Sequence, residues 1–173
     1  YIQSESISNR TNFMDMSSTD LIDYIINTHH VFLNRILPEL SELTTKILKV
    51  HGSNHPELFK VHKLFHNLKT ELEQHLIKEE EILFPVIKEY DAHPSKEQMN
   101  RISTTMKETE DEHEAAGDIL KELRKVTKDY SVPKDGCNTY FKTFDKLQQL
   151  EADLFEHIHL ENNILFRRFN DIQ

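Results

Sequence analysis

Residues 75–84 read HLIKEEEILF, and residues 157–166 read HIHLENNILF. Both begin on a histidine, carry a glutamate four residues later and end on Ile-Leu-Phe, at an offset of 82 residues. On a helix, residues i and i+4 share a face, about 40° apart in rotation. His75 with Glu79, and His157 with Glu161, therefore each turn two donor groups the same way. Upstream, His30 precedes His75 by 45 residues and His113 precedes His157 by 44. The chain reads as two helical hairpins of one design, each offering a single histidine and one His-x-x-x-Glu pair.

Working outward from these segments, helices fill most of the chain. Ser17-Ser18-Thr19-Asp20 supplies N-caps ahead of an apolar stripe made by Leu21, Ile25, Val31, Ile36, Leu40, Leu43 and Ile47. Pro38 lies inside this helix and predicts a kink; Gly52-Ser53-Asn54 ends it. A second helix is expected from about His55-Pro56 to about Tyr90, with Leu58, Val61, Leu64, Phe65, Leu68, Leu72, Leu76 and Leu83 on its apolar side. Ser95 caps a third helix over 95–128, residues 130–136 form a loop, and a fourth helix spans 137–169. Four long helices with short connections predict an all-α, antiparallel up-down-up-down four-helix bundle. One domain over 17–173 suits the length. Residues 1–16 show no period and read as a linker or tail; a start at Tyr1 is expected of a fragment or a processed form.

Composition narrows the function. Only 3 Gly and 5 Pro favour long elements over many short strands. A formal net charge of −9 argues against nucleic acid and against anionic membrane faces. No apolar run approaches the roughly 20 residues of a membrane span. The single cysteine, Cys137, permits no internal disulfide, and a reducing, cytoplasmic compartment is expected. Histidine is the anomaly, at 11 residues, and it is the commonest metal ligand.

Antiparallel geometry brings four of these histidines to one depth. In a hairpin, two residues at equal height are equally far from the connecting loop. The midpoint of His30 and His75 is 52.5, that of His75 and His113 is 94, and that of His113 and His157 is 135, all on expected loops. Leu68, Leu72, Ile82 and Leu83 are expected to share the His75 side, and Leu150, Leu154 and Leu165 the His157 side. Two glutamates on core-facing stripes would cost several kcal/mol each if buried unpaired; a bound cation is one compensation and water or Arg/Lys partners are another, and the few basic residues on these inner faces favour metal. Four imidazoles and two carboxylates exceed the needs of one tetrahedral zinc. They suit two six-coordinate ions bridged by the carboxylates and an oxo or hydroxo group, with room for a small exogenous ligand. Mixed N/O ligation favours iron or manganese, and the histidine share favours iron; copper and zinc stay open. The metal candidates are His30, His75, Glu79, His113, His157 and Glu161.

The remaining candidates read as structural. Glu80 and Glu81 are expected to be solvated charges. His51 lies 21 residues from His30, about 31 Å along a continuous helix. His62, His66 and His159 fall toward outer faces, and His55 and His93 at loops. His29 neighbours His30 but fits the pairing offset less well. Pro85 is expected to bend the second helix just past its ligand pair.

The segments HHVFLNRILPEL, HLIKEEEILFPVI, DEHEAAGDIL and HIHLENNILFRRF resemble the hemerythrin-like domain of the repair-of-iron-centres family, over about residues 18–169. That resemblance implies a non-haem di-iron centre on the same six residues. It also implies a role in restoring iron-sulfur clusters damaged by oxidative or nitrosative stress, by iron donation or nitric oxide handling. The implied partners are damaged iron-sulfur proteins and small ligands such as nitric oxide, oxygen or peroxide; a homodimer is compatible with it. The family also implies a small N-terminal domain with paired cysteines, of which residues 1–16 would be the trailing edge. One departure is Phe166-Arg167-Arg168, where relatives often carry proline after the phenylalanine. Oxygen-carrying hemerythrins look similar but typically have five histidines and an aspartate one residue further on. Glu161 at i+4 favours the repair group, and an oxygen-binding carrier or sensor is the alternative. Neither reading establishes a turnover reaction.

Overall fold

The computed structural model describes residues 13–170. Most of the tail expected over residues 1–16 lies outside them. Within them the protein is all-helical, with no strand among the described residues. Helix α1 spans Ser18–Ile25, α2 Val31–His51, α3 Glu57–Lys78, α4 Phe84–Ala92, α5 Lys96–Val126, α6 Asn138–His159 and α7 Arg167–Asn170. The expected caps are in place. Ser17 accepts a hydrogen bond from the Asp20 amide at 3.1 Å, and Ser95 accepts one from the Gln98 amide at 3.2 Å. Helix α2 runs through Pro38 without ending.

Among the described residues, three π-helical turns interrupt the expected continuous helices. They cover Ile26–His30, Glu79–Leu83 and Leu160–Leu165; the first two join α-helices end to end, and Phe166 separates the third from Arg167–Asn170. In each, the amide after the turn bonds the carbonyl five residues back: Val31 to Ile26, Phe84 to Glu79 and Phe166 to Glu161. Such a turn holds one residue more than an α-turn and rotates everything beyond it. This corrects two expected core positions. Val31, directly after the first turn, is 56% exposed, and Ile82, inside the second, is 47% exposed. Pro85 stands at the start of α4 just past the second turn. Proline is not required for such a turn, because the corresponding turn in the second copy is followed by Arg167.

Helix α2 packs on α3 and α6, and α3 packs on α5. Among the described residues, two apolar clusters fill the interior. One gathers Leu33–Ile47, Leu58–Leu76, Ala116–Leu123 and Tyr140–Leu154. The other gathers Leu21–Ile25, Leu83–Ile87, Ile102–Met106 and Leu160–Phe169. Each fully buried Leu or Phe stabilises the fold by about 1.5–3 kcal/mol. His30, Glu79 and His113 each fall in sequence between the end of one cluster and the start of the other, and His75, His157 and Glu161 lie at that same boundary. The candidate residues thus occupy a polar layer sandwiched between two apolar ones.

Candidate metal centre

The six residues singled out from sequence come together in that layer, and all are buried. His30, Glu79, His157 and Glu161 are fully enclosed, and His75 and His113 are 3% and 5% exposed. Glu79 Oε1 lies 3.2 Å from His30 Nε2, 3.2 Å from His75 Nε2 and 3.7 Å from His157 Nε2. Glu161 Oε1 lies 3.2 Å from His113 Nε2, and its Oε2 lies 2.9 Å from His157 Nε2. Two overlapping sets of converging donor atoms result. One is His30, Glu79, His157 and Glu161; the other is His75, Glu79, His113 and Glu161. Both carboxylates belong to both sets.

The outer ring nitrogens show which inner ones are bare. His30 Nδ1 is 3.1 Å from Glu80 Oε1, His75 Nδ1 is 3.0 Å from Glu112 Oε1, and His113 Nδ1 is 2.8 Å from Asn162 Oδ1. Each partner is an acceptor, so each neutral imidazole carries its proton on Nδ1 and turns a lone pair inward from Nε2. Glu80 is thus a correction: it is partly exposed, yet it orients His30. Glu112 and Asn162 were also missed.

Such a pocket is poorly satisfied by its own residues. His75 Nε2 and His113 Nε2 face each other at 3.1 Å, two lone pairs when both rings are neutral. His30 Nε2, both Glu79 oxygens and Glu161 Oε1 are buried without a hydrogen-bond partner among the described residues. They lie near one another without the alignment of a hydrogen bond, as donors converging on a point between them do. Electrostatics points the same way. Burial opposes charging His75, but neighbouring Glu79 prevails and lifts it to about 9. Burial likewise opposes charging His157, and Glu161 lifts it to about 10. Burial alone would raise Glu79, yet His75 and the other imidazoles hold it well below the usual carboxylate range. The pocket demands positive charge, and the donor set fits a metal cation.

A cavity of about 330 Å³ reaches His75 and His113, lined also by Glu71, Leu72, Glu112 and Leu154. The other histidines stay outside the convergent sets. His62 Nε2 pairs with Thr45 Oγ1 and His66 Nε2 with Ser41 Oγ, both at 3.0 Å. His55 pairs with Asp135, and His159 is exposed. His29, set aside on spacing, is buried beside the centre. His51 lies 3.2 Å from the sulfur of exposed Cys137. The hydrogen bond from His51 brings the Cys137 thiol down from 9.0 to about 7. Its alkylation rate by iodoacetamide is expected to rise with pH through a midpoint near 7, and His51→Ala should move that midpoint toward 9. An unmoved midpoint would show that His51 does not activate the thiol.

The hemerythrin HHE cation binding domain matches residues 21–169. The iron-sulfur cluster repair protein ScdA of Staphylococcus haemolyticus is 31% identical over 155 residues, covering 90% of this chain and 68% of that protein. The iron-sulfur cluster repair protein YtfE of Salmonella typhimurium is 35% identical over 150 residues, covering 86% of this chain and 64% of that protein. A probable iron-sulfur cluster repair protein of Haemophilus influenzae is 33% identical over 166 residues, covering 96% and 71%. The chain therefore spans roughly two thirds of these relatives' length. By the extent of that domain match and the breadth of these alignments, the chain belongs to the hemerythrin HHE cation-binding domain family.

Proposed function

We propose that this chain is a non-haem di-iron protein that helps repair iron-sulfur clusters damaged by oxidative or nitrosative stress, by iron donation or nitric oxide handling. The observation that carries this reading is the pair of four-residue donor sets sharing Glu79 and Glu161. One ion would be held by His30 and His157, the other by His75 and His113, with both glutamates common to the two. When bound, such a pair of irons supplies a redox-active, Lewis-acidic centre. The chain's own residues hold it in place: Glu80, Glu112 and Asn162 keep the imidazoles in the ligating tautomer, and the two apolar clusters keep bulk water away.

The fold proposed to carry the centre is the antiparallel up-down-up-down four-helix bundle. The packing of α2 on α3 and α6 and of α3 on α5 supports it. Residues 17–173 make up the di-iron unit. The cavity beside His75 and His113 is lined by Glu71, Asp111 and Glu112, suited to a cation, and by Leu72, Leu154 and Ile158, suited to nitric oxide, oxygen or peroxide. No helix among the described residues is long and apolar enough to cross a membrane, and exposed Cys137 suits a reducing, cytoplasmic setting. The partners are damaged iron-sulfur proteins.

Incubation of the iron-loaded protein with a cluster-free acceptor tests this. Iron should pass to the acceptor, and nitric oxide should change the absorption spectrum of the loaded protein. Iron that stays put, together with an unchanged spectrum, would overturn the reading. A stable, reversible oxygen adduct without iron transfer would identify a carrier instead.

A further inference from the structure

The layer that holds the six convergent side chains contains a seventh buried group with no role in either donor set. His29 is 2% exposed, and its Nδ1 lies 2.9 Å from Asp153 Oδ1. Its Nε2 has no hydrogen-bond partner among the described residues. The His29 ring stacks on His157, with centroids 5.5 Å apart and planes 14° from parallel. Tyr24 meets His29 edge-on at 6.0 Å.

His157 has particular need of this neighbour. His30, His75 and His113 each have an acceptor for their outer nitrogen, whereas His157 Nδ1 is buried with none among the described residues. The outer hydrogen bond of a ligating imidazole fixes the ring's rotation and strengthens it as a ligand, and losing such a bond typically costs 10–100-fold in metal affinity. Stacking restrains rotation but supplies no acceptor. Beyond its inner contact with Glu161 at 2.9 Å, His157 is therefore held in orientation by packing, and it lacks the outer hydrogen bond that strengthens the other three as ligands.

We propose that His29, pinned by Asp153, is a positioning residue that keeps the His157 ring in its ligating orientation, and that the half of the centre built on His30 and His157 releases its ion sooner than the half built on His75 and His113. This rests on the di-iron reading above. It also runs against solvent access, since the cavity touches His75 and His113. Ligand strength and access therefore give opposite orders of release.

The test follows iron release from the loaded full chain to excess chelator, with helicity recorded for every variant. Two phases of equal amplitude are expected. His157→Ala should remove the fast phase only. His29→Leu should speed the fast phase about tenfold and leave the slow one unchanged. His29→Phe keeps a flat ring and should return the rate close to that of the parent. Asp153→Asn tests the same link at a partly exposed position and should also speed only the fast phase. Equal acceleration of both phases, no acceleration, failure of the Phe variant to rescue, or loss of the slow phase in His157→Ala would each overturn the proposal. A parent protein that binds no iron would instead overturn the di-iron reading itself.

Discussion

Glu79→Ala should empty the centre, lowering iron from about two per chain to near none. Glu79 stands in both donor sets, and its Oε1 lies within 3.7 Å of Nε2 of His30, His75 and His157. Its loss takes a donor and a negative charge from both ions at once, whereas loss of a single histidine acts first on one. The remaining carboxylate, Glu161, cannot neutralise two divalent cations in a fully buried layer. Iron released by acid and measured colorimetrically checks this. Glu81→Ala is the matched control, because Glu81 is exposed two residues away, and it should keep its iron. Full iron content in Glu79→Ala would show that this carboxylate is not a ligand.

Stripping the metal should destabilise the protein strongly. Ions that bind only the folded state stabilise it by about 4 kcal/mol when present at ~1,000 times their dissociation constant. For a domain of this size that corresponds to a fall of roughly 10 °C in Tm on removal. The stripped pocket keeps buried atoms on His30, Glu79 and Glu161 that have no partner among the described residues, each of them costly without a cation. Calorimetry before and after chelation checks the shift. Amide exchange should quicken most at Ile26–His30, Glu79–Leu83 and Leu160–Leu165, where the π-turns carry the donors. Equal melting temperatures for loaded and stripped protein would contradict a metal-stabilised core.

Much of this arrangement was legible in the sequence, for identifiable reasons. Caps at Ser17 and Ser95 and apolar residues at helical spacing reveal where the helices run. Equal distances from the loops reveal that His30, His75, His113 and His157 share one depth, a consequence of antiparallel geometry that needs no side-chain detail. The π-turns were not legible, because INTHH has no counterpart in EEEIL and LENNIL, and the Glu-x-x-Ile-Leu that the last two share fits an α-helix equally well. Their added residue is what moved Val31 and Ile82 out to solvent. The outer partners were hidden for a related reason. Glu80 and Glu81 are the same residue type in adjacent positions, and only their rotation about the helix sends one to His30 and leaves the other in water. His29 was set aside because spacing ranks it behind His30, yet spacing carries no information about stacking on His157.

The most direct test is a crystal structure of the iron-loaded protein with anomalous data collected at the iron edge. Two peaks are expected inside the bundle, one beside His30 and His157 and the other beside His75 and His113, both within reach of Glu79 and Glu161. A single peak, no peak, or iron bound instead near His51 and Cys137 would contradict the account.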